Sequence, residues 1–75
     1  MYHTIEFVSD HVIDLEVSRT RRLERMLIRK GTRVQAMIKP GVVESEEAPI
    51  EVADLFFEDG TATRCVPFEW FSFLD

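Results

Sequence analysis

The chain opens on two stretches, residues 2–8 (YHTIEFV) and 12–17 (VIDLEV), in which apolar and polar side chains alternate. A period of two is that of a strand with one buried and one exposed face. If Ser9, Asp10 and His11 form a three-residue loop, the two stretches pair as a hairpin. Phe7 then lies opposite Ile13 and Ile5 opposite Leu15 on an apolar face, with Thr4 opposite Glu16 and Glu6 opposite Asp14 on the other. A two-residue loop would set Ile5 against Asp14 and mix the faces, so the longer loop is expected. That register opposes two carboxylates, which is destabilising, and so predicts a cation over Glu6 and Asp14.

A second hairpin is read in EVADLFFEDGTATRCV, residues 51–66, turning at Glu58, Asp59 and Gly60. Gly60 takes the left-handed position of a three-residue hairpin loop. The expected register places Phe56 opposite Ala62, Asp54 opposite Arg64 and Val52 opposite Val66. Pro67 cannot continue a central ladder, so PFEW (67–70) reads as a tight turn, 3₁₀ in character, ahead of a last short strand at 71–74. Between the hairpins, residues 31–40 alternate Val34, Ala36 and Ile38 against Gln35 and Met37, a strand pattern, and 41–49 (GVVESEEAP) read as an acidic exposed loop.

Residues 20–30 support two readings. Strong helix formers, apolar Leu23, Met26 and Leu27 and a terminal Gly31 suit a helix. A strand that bends at Lys30, Gly31 and Thr32, flanked by Ile28 and Val34 as core residues, suits the β-rich surroundings. The fold class expected is therefore mainly β: a five- or six-stranded SH3-like barrel or a bent antiparallel sheet, with one short helix at about 20–30 as the α+β alternative. The tight turn before the last strand is similar in layout to SH3-like barrels, and no specific family motif accompanies it.

Seventy-five residues, 45% hydrophobic and 31% charged, read as a single small domain spanning 1–75, near the lower size limit for a chain that folds on one core without staples. No apolar run reaches membrane-spanning length, the N-terminus has no basic leader followed by an apolar run, and a lone Cys65 allows no internal disulfide. The expected location is the cytoplasm, with no membrane partner.

Charge changes the picture more. The net charge is -5, yet residues 19–39 hold eight of the nine cations against one acid, Glu24, and so carry +7. The remainder holds thirteen acids and Arg64, hence -12. A chain divided in this way can neutralise itself in the fold, pair head-to-tail with other copies, or present its basic part to an anion.

Catalytic chemistry is not expected. Ser9, Asp10 and His11 share residue types with a hydrolytic triad, but neighbours in a tight loop cannot adopt triad geometry. The three glycines stand at 31, 41 and 60, without a phosphate-binding loop. His3, His11 and Cys65 lack zinc-site spacing; Met1, Tyr2 and His3 form only the copper-binding end of any chain with His at position three. Glu6 and Asp14, if opposed, offer a hard cation two carboxylates and little else. The reading is a non-enzyme with no cofactor, no metal and no small-molecule substrate.

About twenty-nine large apolar side chains exceed what a domain of this size can enclose, and exposed apolar patches mark interfaces. Arginine and aromatic residues are enriched at such surfaces. The expected function is thus an interaction module, homo-oligomeric or binding a protein partner, with Arg19, Arg21, Arg22, Arg25, Arg29, Trp70, Phe71 and Phe73 as partner-binding residues. The alternative is binding of RNA or single-stranded DNA through the basic segment 19–39.

Overall fold

The computed structural model describes residues 1–17 and 19–75; Ser18, just before the basic segment, lies outside them. Seven strands make one antiparallel sheet: β1 (His3–Phe7), β2 (His11–Val17), β3 (Arg22–Ile28), β4 (Arg33–Val43), β5 (Ile50–Phe57), β6 (Thr61–Pro67) and β7 (Phe71–Phe73), with a 3₁₀ turn at Phe68–Trp70 before the last. Their order across the sheet is β3-β2-β6-β5-β4-β1-β7. The mainly β expectation holds, with seven strands rather than five or six. Among the described residues there is no α-helix, and 20–30 contain β3.

The sheet is bent but not closed into a barrel, β3 and β7 being its two ends. Its curvature follows from the connections. β1 and β2 are four strand-steps apart, about 19 Å in a flat sheet. The link from Phe7 to His11 can span at most about 14 Å, so the sheet must roll to bring those ends together. At the open seam, Met26 and Ile28 of β3 and Val34 of β4 border a hollow of about 360 Å³, with Phe7, Leu15 and Phe57 in its wall beside polar Gln35, Glu58 and Asp59.

The expected hairpin of β1 with β2 is not formed. β1 pairs with β4 on one side, Ile5 opposite Val34 and Glu6 opposite Arg33, and with β7 on the other, Ile5 opposite Phe73. β2 pairs instead with β3, Ile13 opposite Met26 and Asp14 opposite Arg25, and touches β6 through Glu16–Ala62 and Val17–Thr61. Alternation assigns a residue to a face without naming the neighbouring strand, so Ile5, Phe7, Ile13 and Leu15 are all buried as expected while their partners differ. The link between β1 and β2 is tied elsewhere: the Asp10 carboxylate accepts the Lys30 N–H at 2.7 Å.

The β5–β6 hairpin begins as expected. Gly60 has φ 87°, its N–H donates to the Phe57 carbonyl at 3.2 Å, and Phe56 lies opposite Ala62. The register then slips: Ala53, not Val52, faces Val66. Arg64 and Cys65 both stand against Asp54, a β-bulge in which Cys65 adopts φ 56°. Asp54 satisfies both, accepting from the Cys65 N–H at 3.0 Å and from the Arg64 guanidinium at 3.3 Å.

Residues 41–43, expected in the acidic loop, continue β4 to Val43, opposite Ile50; the loop is confined to 44–49. The core gathers Ile5, Phe7, Ala36, Ala53, Leu55, Val66 and Phe71, with Phe68 and Trp70 packed against it. Among the described residues no helix is long and apolar enough to cross a membrane.

Candidate interaction surface

The opposed Glu6 and Asp14 of the expected hairpin are separated, so a joint cation site between them does not exist. Each meets an arginine of the basic stretch directly across a strand pair: Arg33 to Glu6 at 3.1 Å and Arg25 to Asp14 at 3.4 Å. Arg22 reaches Glu24 at 3.3 Å. Part of the basic block therefore neutralises acids of the same chain. Exposed pairs of this kind contribute about 0–1 kcal/mol each, so they select a register more than they stabilise the fold. Among the described residues, Arg19, Arg21, Arg29 and Lys30 have no carboxylate within ion-pair distance.

Arg64, outside the block, holds two carboxylates at once: Glu16 of β2 at 3.1 Å and Asp54 of β5 at 3.3 Å. The hydrogen bond and charge of Glu16, then Asp54, raise its pKa further above the ordinary guanidinium value. Its guanidinium also lies 5.5 Å from the centre of the Phe56 ring. In the turn beyond, the Thr61 hydroxyl and N–H donate to Asp59 at 2.6 and 3.0 Å and hold that carboxyl below its ordinary pKa.

The outer face of the β2–β3 hairpin is the most exposed apolar surface of an end strand. Cross-strand partners share a face, so Val12 sits beside Leu27, Asp14 beside Arg25 and Glu16 beside Leu23. Leu23 is 65% exposed, Val12 55% and Leu27 50%. Met26 belongs to the opposite face, at the mouth of the open seam.

Beyond Glu16, β2 and β6 separate, because the Arg64–Cys65 bulge ends their pairing. The gap is a groove of about 310 Å³ lined by Val12, Asp14, Leu23, Cys65 and Trp70 among others. Trp70 closes its end and stacks on His11 with ring centres 3.7 Å apart and planes 3° from parallel. His11 is positioned by Ser9, whose hydroxyl oxygen is 2.6 Å from Nε2.

The eight residues expected at a partner surface do not lie together. Arg19, Arg21, Arg22, Arg25 and Arg29 are exposed along the β2–β3 hairpin and its ends, and Trp70 borders the groove beside it. Phe71 is 5% exposed and belongs to the core, so it is withdrawn from the set. Its inward direction follows from β7 pairing with β1, which sets it opposite buried Phe7. Phe73, 46% exposed, lies on β7 at the other end of the sheet, edge-on to His3 at 5.4 Å. Sequence reasoning missed Val12, Leu23 and Leu27. Their signal is the match of 22–28 to β2, in which Asp14 meets Arg25 while Val12 meets Leu27.

Among the described residues no cluster of three or more His, Cys, Asp or Glu is placed to hold a metal ion. Catalysis would need a nucleophile and a base within reach of each other. Ser9 with His11 is such a contact, but His11 is stacked on Trp70 in a tight link. What the residues define is a small all-β domain with a charged, partly apolar end hairpin beside a Trp-closed groove. The chain matches no family model, no curated protein and no solved structure.

Proposed function

We propose that this protein is a non-catalytic interaction module that associates with further copies of itself through the outer face of the β2–β3 hairpin. The observation that carries the reading is the exposure of Val12, Leu23 and Leu27 on one face of the terminal hairpin. Exposed apolar patches on a small domain mark contact surfaces, and an end strand with a free edge is a template for further pairing unless it is covered. Arginines interleaved with these residues, and Trp70 at the adjoining groove, supply the residue types that anchor interfaces. A single exposed thiol, Cys65, suits a reducing compartment such as the cytoplasm.

Nucleic-acid binding has less behind it. Arg22, Arg25 and Arg33 already face carboxylates of the chain, and the surface beside them carries leucine and valine where single-strand binders place stacking aromatics.

Sedimentation equilibrium of the wild type and of Leu23→Ser with Leu27→Ser tests the proposal. Both side chains are half or more exposed, so the variant should fold and melt as the wild type does while its association constant falls sharply. An unchanged association constant in a folded variant would remove this face from the interface.

A further inference from the structure

The self-association just proposed leaves open what on the second copy covers the hairpin, and the charges not matched within the chain identify it. We infer that the occupant is the β4–β5 tip of another copy, so that the molecules dock head-to-tail. This rests on the self-association reading and adds the partner surface and its symmetry.

Of the eight carboxylates without a cation partner among the described residues, four gather on one element, the others being Asp10, Glu58, Asp59 and Glu69. Glu44, Glu46, Glu47 and Glu51 surround the β4–β5 connection, and none lies within ion-pair distance of a described cation. The same tip exposes Val42 (61%), Val43 (39%) and Ile50 (45%). It is shaped by Ser45, whose hydroxyl donates to the Ala48 carbonyl and accepts the Ala48 N–H at 3.2 Å. The tip is therefore apolar and acidic, where the β2–β3 hairpin is apolar and basic. Leu23 and Leu27 match Val43 and Ile50, and unmatched Arg19, Arg21 and Arg29 match the glutamates. Complementary potentials of this kind select a partner and its register.

Within one molecule the two surfaces form no ion pair with each other. β4 has eleven residues from Arg33, beside the basic bend at Arg29 and Lys30, to Val43 at the acidic tip. At about 3.3 Å per residue that is roughly 33 Å for an extended strand, close to the longest dimension of the molecule, 35 Å. The contact inferred is intermolecular. Being between two different patches, it is heterologous and builds rings or open chains, not a two-fold dimer.

The experiment uses two charge reversals at residues without an internal ion pair: Glu44→Lys, Glu46→Lys and Glu47→Lys on the tip, and Arg19→Glu with Arg21→Glu on the hairpin. Each protein is first checked for wild-type melting, then weighed by light scattering at low salt. Wild type is expected to exceed the monomer mass. Each variant alone should associate about tenfold more weakly or worse, and an equimolar mixture should recover assembly, because each variant's altered surface suits the other's. If the tip variant assembles as well as the wild type, the tip is not the occupant and the head-to-tail inference falls, while self-association stands. A weakened hairpin variant that the mixture fails to rescue, beside an unaffected tip variant, identifies hairpin-to-hairpin pairing instead. A wild type that is monomeric at all concentrations overturns the self-association reading itself.

Discussion

Replacing Gly31 by Val isolates the conformational strain at the bend that joins β3 to β4. Gly31 has φ 89°, a region that β-branched residues avoid because their second γ-substituent crowds the backbone. Its N–H donates to the Phe7 carbonyl at 2.7 Å, and the next residue's carbonyl accepts the Phe7 N–H at 2.9 Å, so the bend clamps the end of β1 and helps hold the sheet rolled. A Cβ at Gly31 would meet nothing within 4 Å. Crowding therefore adds nothing, and the cost is the dihedral penalty alone, about 1–3 kcal/mol. For a domain of this size each kcal/mol lowers Tm by roughly 4–8 °C, so a fall of about 4–24 °C is expected. Gly41→Val is the control. Its Cβ also meets nothing within 4 Å, its backbone lies outside the left-handed region, and it sits in β4 opposite Val52, where valine is favoured. Thermal melts followed by circular dichroism should leave Gly41→Val at or above the wild-type Tm. Equal melting of the two variants would refute the left-handed bend.

Gly60→Val, at φ 87° in the β5–β6 turn, should also cost about 1–3 kcal/mol in a urea titration. Phe71→Ala should destabilise by about 3–5 kcal/mol because Phe71 is 5% exposed in the core, whereas Phe73→Ala, on the far edge, should cost far less. The Asp59 carboxyl should titrate below the usual value of about 3.9, and Thr61→Val, which removes the hydroxyl donor, should move it upward in an NMR titration. Because the folded value is depressed, the stability it contributes is present above the unfolded value and is lost as pH falls through the folded one; that acid-side loss should be smaller in Thr61→Val. A fluorescent oligoribonucleotide should show no binding tighter than about 1 µM at physiological salt; tight binding that weakens steeply with salt would favour the nucleic-acid reading.

Much of the fold is legible in the alternation of side chains, since period two marks faces wherever a strand packs on a core. Val34, Ala36 and Ile38 point inward as read, the Gly60 turn has its expected geometry, and PFEW makes the tight turn before β7. Neighbour relations are another matter. Strand β1 has the same inward residues whether it pairs with β2 or with β4, and only the three-dimensional roll decides. For 20–30, helix propensity was opposed by cross-strand contacts with β2, which are long-range and outweigh local preference. The bulge at Cys65 had no local signal, because cysteine is not a turn former and the position is held by the side chain of Asp54 on the neighbouring strand. The same limit affects the surface: Phe71 and Phe73 share one face of β7, opposite Phe7 and Ile5, and they differ because the 3₁₀ turn sets Phe68 against Phe71 while Phe73, at the end of the strand, has His3 beside it.

The mass of the wild-type protein in solution, measured by light scattering over a dilution series at low salt and at about 1 M, where the Debye length shrinks to roughly 3 Å, tests self-association most directly. A chain of 8.8 kDa that joins its copies by a charged and apolar contact should exceed that mass at low salt and high concentration. It should fall toward 8.8 kDa on dilution and with added salt. A mass of 8.8 kDa at every concentration and both salts would contradict the account.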